Sequence, residues 1–144
     1  MHEYVKLRVL VLEDSDVVRL AMQQLLTGKG FEVYSYPDPE SCPLHRSEQC
    51  ECSFNQVCAD VLVTDLDMPH ISGLEFAEEL MQKGCKISHY ALLTGNREQS
   101  TLAQAAELGI KVFAKPDGIT ALVAWLQEIK AAFQPERQLT SCHF

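Results

Sequence analysis

The sequence has no long apolar run and little positive charge. No uninterrupted apolar stretch approaches the roughly 20 residues that a helix needs to cross a bilayer. The first residues, Met-His-Glu-Tyr-Val-Lys, lack the basic start and apolar core of a signal peptide. Twelve Lys and Arg residues against 20 Asp and Glu give a formal net charge of -8, which argues against a nucleic-acid surface. We therefore expect a cytoplasmic protein that binds neither membranes nor nucleic acids.

The composition is that of a soluble globular protein. A chain of 144 residues, 47% hydrophobic and 22% charged, is enough for one domain with a sizeable core. Six cysteines would suggest a disulfide scaffold in a secreted protein, but without a signal peptide they are expected to be thiols or metal ligands. We predict one domain over residues 1–134 and a frayed tail over residues 135–144.

Short apolar runs alternate with amphipathic runs along the chain. Strands are predicted at about residues 7–12, 31–36, 60–64, 87–93 and 111–114. Helices are predicted after the first, third, fourth and fifth strands, and the first of them is expected to bury Val17, Val18, Ala21, Leu25 and Leu26. This alternation predicts a doubly wound parallel sheet with helices on both sides.

The connection over residues 37–58 interrupts the alternation. It holds three prolines and no helical period, so only a short helical turn after Asp38 is expected. Four thiols and His45 could supply the four ligands of a Zn²⁺ site, although their spacing is not that of a paired Cys-x2-Cys knuckle. The alternative is a set of inert or redox-active surface thiols, and Cys85 and Cys142 are given no role. The candidate ligands are Cys42, Cys50, Cys52 and Cys58.

Polar side chains follow four of the predicted strands. Because the carboxyl ends of parallel strands meet at one edge of a sheet, these side chains should share a pocket. Two unit charges about 4 Å apart interact by roughly 1 kcal/mol in water and about 4 kcal/mol at an effective dielectric of 20, so a divalent cation such as Mg²⁺ would relieve the clustered carboxylates. An ammonium and a hydroxyl suit a phosphoryl group, which predicts metal-assisted phosphoryl transfer onto an aspartate. The residues concerned are Glu13, Asp14, Asp65, Asp67, Thr94 and Lys115.

Four motifs in this order resemble those of a two-component response regulator receiver domain of the stand-alone, chemotaxis-regulator type. They are Glu13-Asp14, Asp65-x-x-Met-Pro with Gly73 eight positions on, Thr94-Gly95, and Lys115-Pro116. The resemblance covers about residues 5–133. It implies a flavodoxin-like (βα)5 fold with strand order 2-1-3-4-5, in which residues 37–58 are an atypical connection between the second and third strands.

The resemblance also implies how the pocket would hold a metal and accept phosphate. Asp65 would take a phosphoryl group from a histidine kinase, a phosphotransfer protein or a small phosphodonor, becoming a 4-aspartylphosphate. Asp14 and Asp65 would bind Mg²⁺ directly, the carbonyl of Asp67 would be a third ligand, and Glu13 would act through water. The protein would then be a phosphoacceptor with self-catalysed phosphorylation and dephosphorylation, and not an enzyme.

A second set of residues would read out the phosphorylated state. Lys115 and Thr94 would contact phosphate oxygens, and Gly95 would leave access to them. The segment between Gly109 and Lys115 is one residue shorter than the usual family pattern, so either Val112 or Phe113 fills the position of the aromatic switch residue. The face formed by the fourth helix, fifth strand and fifth helix would bind a downstream target protein or form a homodimer.

Two other functions stay open at this point. Asp65-Leu-Asp67 resembles the nucleophile and acid/base pair of haloacid-dehalogenase-like phosphatases, but those continue with Gly-Thr, and this chain is too short for their cap. The chain could instead be a receiver-like module that responds to metal or redox state through the connection from Cys42 to Cys58.

Overall fold

The computed structural model describes residues 6–46, 56–95, 98–115, 117–132 and 138–139. Its main elements are β1 (Arg8–Leu12), α1 (Asp16–Gly28), β2 (Glu32–Tyr36), α2 (Pro43–Arg46), β3 (Gln56–Val57), β4 (Val61–Asp65), α3 (Gly73–Gln82), β5 (His89–Thr94), α4 (Gln99–Glu107), β6 (Lys111–Ala114), α5 (Ile119–Ala132) and β7 (Gln138–Leu139). All five predicted strands are present, and the largest difference is at the start of β5, which begins at His89 and not at residue 87.

Five of the strands form one parallel sheet in the order β2-β1-β4-β5-β6. Counted along the chain within this sheet, the order is the predicted 2-1-3-4-5, which confirms the flavodoxin-like fold. All five residues of β4 are buried, as expected for a strand covered on both faces. The connections change direction between β1 and β4, and ligands bind at such switch points outside the carboxyl ends of the strands.

The core consists of one apolar cluster on each face of the sheet. Neighbouring residues of β4 point to opposite faces, so Leu62 packs with residues of α3 and Val63 packs with residues of α1 and α5. A fully buried side chain of this size contributes about 1.5 to 3 kcal/mol to stability. Both faces of the sheet therefore hold the strand ends in fixed positions.

Among the described residues, no helix is long and apolar enough to cross a membrane.

The buried face of α1 differs from the prediction. The residues that lie inward recur once per turn, and they are Val18, Met22 and Leu26. Val17 and Leu25, which were predicted to be buried, are 79% and 39% exposed, and Ala21 is also exposed. The helix begins at Asp16 with Ser15 as its cap. The apolar content of the segment alone did not reveal which side of this helix faces the sheet.

The connection between β2 and β4 is fastened to α3. The helical turn predicted after Asp38 is present over Pro39–Ser41, where the Asp38 carboxylate accepts a hydrogen bond from the Ser41 amide at 2.8 Å. The short helix α2 was not predicted. His45 Nδ1 lies 2.8 Å from a carboxylate oxygen of Glu79, so this candidate zinc ligand is instead paired with an α3 side chain.

The predicted tail contains a short strand. Its described residues, Gln138 and Leu139, pair in parallel with Gln56 and Val57 of β3. We expected a frayed segment over residues 135–144, of which only these two are among the described residues. The pairing is long-range, so local sequence could not predict it.

Candidate functional site: an acidic pocket at the carboxyl edge of the sheet

Backbone hydrogen bonds extend the sheet beyond the strand ends and position the side chains that follow. The Glu13 amide donates to the Tyr36 carbonyl at 3.1 Å, just after β1. The Lys115 amide donates to the Thr94 carbonyl at 3.0 Å, just after β6. Asp65 is the last residue of β4, between them. The sheet therefore brings the predicted polar residues to one edge.

Lys115 connects two buried carboxylates. Its Nζ atom lies 2.8 Å from Glu13 Oε2 and 3.2 Å from Asp65 Oδ2. Glu13 is 1% exposed and Asp65 is 5% exposed, whereas Asp14 is exposed. One carboxylate oxygen from each of these three acids lies within 4.8 Å of the others. Lys115 is thus paired with two of the three carboxylates, and its single ammonium leaves the group with an excess of negative charge.

Glu13 has a contact that sequence reasoning did not predict. The resemblance implied that Glu13 would act on the metal through a water molecule. In the structure its carboxylate pairs with Lys115. The available signal was the residue type, because glutamate is one methylene longer than the aspartate beside it and reaches further across the pocket.

The electrostatics of the pocket favour a bound cation. The pKa of Asp65 is raised from 3.8 to about 6, first by burial and then by the negative charge of Glu13, while Lys115 opposes the shift. Burial by itself would lower the pKa of Lys115, but the carboxylates of Glu13 and Asp65 raise it, so Lys115 is an ammonium at neutral pH. The ionised form of Asp65 is therefore destabilised unless further positive charge is supplied.

The loop after β4 is held against the pocket by Gly73. The Gly73 amide donates to the Leu66 carbonyl at 2.9 Å, and a side chain at position 73 would collide with the Asp65 carbonyl oxygen. Ser72 caps α3 immediately before it. This close packing fixes the exposed residue Asp67, whose amide lies 3.4 Å from Asp65 Oδ1.

The two candidate switch residues occupy opposite faces of the sheet, and Val112 is the one that shares a face with Thr94. Thr94 is 1% exposed at the end of β5, and Gly95 after it is exposed. Side chains alternate along a strand, and the pairing of β5 with β6 puts Val112 on the same face as Thr94. Phe113 belongs to the cluster on the other face, where its ring lies 5.5 Å from the ring of Trp125. Phe113 is therefore positioned as a core residue.

The structure does not support the predicted zinc site. Within the described ranges, the acidic cluster of Glu13, Asp14 and Asp65 is the one group of three or more potential metal ligands. Cys42 and Cys58 are buried thiols outside that group, and Cys50 and Cys52 lie outside the described residues. Cys58 instead has a thiol neighbour in Cys85, 27 positions away, to which the sequence had given no role.

Comparison with known proteins identifies the family. Residues 9–127 match the response regulator receiver domain model. A protein-glutamate methylesterase/protein-glutamine glutaminase 2 of Hahella chejuensis is 32% identical over 136 residues, which are 88% of this chain and 35% of that protein. A probable chemotaxis protein CheY of Rhizobium etli is 26% identical over 132 residues, which are 90% of this chain and 96% of that one. The chain therefore spans about a third of the first relative and nearly all of the second.

Solved structures agree on the fold. A response regulator receiver protein of Pseudomonas putida superposes with a TM-score of 0.72 at 20% identity, covering 88% of this chain and 99% of that one. The chemotaxis protein CheY4 of Vibrio cholerae superposes with a TM-score of 0.68 at 24% identity, covering 86% and 98%. Neither the phosphatase nor the metal- or redox-responsive module is favoured by these matches. The chain belongs to the response regulator receiver domain family of two-component signalling.

Proposed function

We propose that Asp65 accepts a phosphoryl group from a histidine kinase or a phosphotransfer protein, with Mg²⁺ bound beside it. The observation that carries the proposal is the position of the Asp65 carboxylate, which lies 3.2 Å from Lys115 and next to the carboxylates of Glu13 and Asp14. Mg²⁺ prefers hard oxygen ligands and usually takes one or two carboxylates together with phosphate oxygens. The donor set fits this ion, because three carboxylates and one ammonium leave an excess of negative charge.

The side chains have distinct tasks in this reaction. Asp14 and Asp65 would hold Mg²⁺ with the Asp67 carbonyl, and the ion would supply positive charge to the phosphoryl oxygens. An oxygen of Asp65 bonds to phosphorus while the bond from phosphorus to the donor's histidine nitrogen breaks. Lys115 neutralises a phosphoryl oxygen as the negative charge develops. The ion pair between Lys115 and Glu13 keeps the ammonium in position before the donor arrives.

The readout begins at the end of β5. The Thr94 hydroxyl hydrogen-bonds a phosphoryl oxygen in our proposal, and Gly95 leaves room because, among the described residues, no atom lies within 4 Å of the position that a Cβ would occupy. Val112, which is not aromatic, lies on the same face as Thr94. We therefore propose that the loop between β5 and α4 moves without rotation of an aromatic ring. The face of α4, β6 and α5 then changes its affinity for a target protein or a second copy of the chain.

The phosphodonor docks on α1 in this proposal. Val17 is 79% exposed, Leu20 is 54% exposed and Leu25 is 39% exposed, so the helix presents apolar side chains to solvent. The helix starts two residues after Asp14, at the rim of the pocket. A protein that delivers a phosphoryl group to Asp65 must approach this rim, and an apolar helical surface on the donor would cover these residues.

The test is the intact mass of the protein after incubation with acetyl phosphate and Mg²⁺. The parent protein should gain one phosphoryl group, and the gain should be absent with a chelator and in Asp65→Asn. Asp16→Asn is the matched control, because it changes an exposed acid near the pocket and should leave the labelling intact.

Two results would contradict the proposal. One is a folded parent, judged by circular dichroism, that is labelled neither by acetyl phosphate nor by phosphorylated histidine kinases. The other is continuous turnover of a phosphate ester, which would favour the phosphatase. Loss of labelling in Asp16→Asn would show that the assay responds to acidic charge in general.

A further inference from the structure

We propose that Cys58 and Cys85 form a reversible disulfide, a redox modification site at the amino edge of the sheet. Their Sγ atoms lie 3.8 Å apart although the residues are separated by 27 positions. Cys58 comes three residues before β4, and Cys85 follows the end of α3. Because α3 runs back along β4, both thiols lie at the opposite end of this unit from Asp65. The site is independent of phosphoryl transfer.

Both cysteines have an anchored backbone. The Cys58 carbonyl accepts a hydrogen bond from Arg8 Nη1 at 3.1 Å, and the Asp60 carboxylate accepts from the Arg8 amide at 2.8 Å, so the approach to β4 is fixed against β1. The Cys85 amide donates to the Leu80 carbonyl at 3.0 Å, which holds it to the last turn of α3. The thiols face each other from two rigid supports, and their contact is a property of the fold.

The remaining distance is small. A disulfide has an S–S distance of about 2.05 Å, so the sulfurs must approach by about 1.7 Å from their present 3.8 Å. In the proposed reaction this approach occurs by rotation about the Cα–Cβ bonds of the two cysteines. Cys85 is partly exposed and can meet an oxidant, whereas Cys58 is 1% exposed and is shielded until Cys85 has reacted.

Peroxide is the oxidant that we propose. The Cys85 thiolate attacks a peroxide oxygen, the O–O bond breaks, and Cys85 becomes a sulfenic acid as the first water forms. The Cys58 thiolate then attacks the Cys85 sulfur, the S–O bond breaks, and the second water leaves. Two thiols are oxidised to one disulfide, one hydrogen peroxide is reduced to two waters, and the two thiol protons end in those waters. A dithiol reductant reverses the step by thiol–disulfide exchange.

The disulfide would close the segment from residue 58 to residue 85. This segment carries β4, Asp65 and α3, so the cross-link limits the unfolded conformations of the unit that bears the phosphoacceptor. A loop of this length predicts a rise in Tm of roughly 5 to 10 °C. The pocket at the other edge stays open, because neither thiol contributes to it.

The experiment is peptide mapping of the full chain after treatment with hydrogen peroxide, followed by alkylation of the remaining thiols. The parent should yield a linked pair of peptides that contain Cys58 and Cys85, with a higher Tm that dithiothreitol reverses. Cys85→Ser and Cys58→Ala should lack the linked pair and the reversible shift in Tm. Cys42→Ala is the matched control, because Cys42 is equally buried in the same cluster and its loss should leave the linkage intact.

Several results would overturn the proposal. The peptide map of the parent overturns it if another pair of cysteines is linked instead of Cys58 and Cys85. It also does so if Cys85 is oxidised to sulfinic acid without a link to Cys58. A reversible rise in Tm of the same size in Cys85→Ser would also exclude it, because the shift would then not come from this linkage. The parent needs no substitution, so a variant that folds poorly does not affect this outcome.

Discussion

The charged side chains at the two edges of the sheet are paired differently. At the carboxyl edge, three carboxylates lie together and the ammonium of Lys115 pairs with two of them. At the amino edge, Arg8 lies 3.0 Å from a Glu32 carboxylate oxygen, and the Arg8 amide donates to Asp60. At the amino edge Arg8, Glu32 and Asp60 are held in one network, whereas the carboxyl edge keeps an excess of negative charge.

This difference supports the proposal that the ligand binds at the carboxyl edge. An unbalanced group of buried carboxylates lowers the stability of the protein without a cation, as the raised pKa of Asp65 shows. The balanced network around Arg8 holds β1, β2 and β4 in register and needs no ligand. Substitutions at the two edges should therefore differ in their effects, and the same substitution at the two ends of β4 should change stability in opposite directions.

Removal of the shared cation should have the largest effect. Lys115→Met takes away the ammonium that neutralises the developing charge on the phosphoryl group, so the rate of phosphorylation should fall on the order of 100-fold. Lys111→Met is the matched control, since Lys111 is exposed at the start of β6, away from the pocket, and its loss should change the rate by less than about twofold. The measurement is the initial rate of mass gain with acetyl phosphate and Mg²⁺. An equal loss of rate in both variants would mean that net charge, and not the position of Lys115, sets the rate.

The same substitution at the two ends of β4 should have opposite effects on stability. Asp65→Asn should stabilise the metal-free protein at pH 8 by about 1 to 3 kcal/mol, because it removes a buried carboxylate that is costly when ionised. Asp60→Asn should destabilise it by about 1 kcal/mol, because it weakens the charge-assisted hydrogen bond from the Arg8 amide. Urea unfolding in the presence of a chelator measures both.

The pH dependence follows from the shift at Asp65. Its pKa is about 6 in the folded protein against 3.8 for the unperturbed group, so the folded state binds the proton more tightly. The resulting stability is complete below pH 3.8 and is lost as the pH rises through about 6. The advantage of Asp65→Asn over the parent should therefore shrink as the pH is lowered from 8 to 5. A constant difference across this range would show that Asp65 is not the group responsible.

The sequence was sufficient for the fold and for the composition of the pocket. Apolar runs that end in Asp14, Asp65, Thr94 and Lys115 predict strands and also predict what those strands deliver, because all parallel strands end at one edge. The strand pattern and the polar residue that follows each strand are both local features of the sequence. Neither prediction therefore depends on how distant side chains pack.

The features that escaped prediction depend on long-range geometry. The contact between Cys58 and Cys85 requires the length and direction of α3, and the exposure of Val17 requires the rotation of α1. The pairing of Glu13 with Lys115 spans 102 positions. Phe113 and Val112 could not be told apart until the register of β5 with β6 assigned each to a face.

The most direct test of the account is chemical trapping of the phosphorylated side chain. Borohydride reduces an aspartyl phosphate to homoserine, so the protein labelled with acetyl phosphate and Mg²⁺ can be reduced, digested and mapped by mass spectrometry. We predict homoserine at position 65 and at no other acidic residue. Homoserine at position 14 or 67, or none in protein that has gained a phosphoryl group, would contradict the assignment of Asp65 as the acceptor.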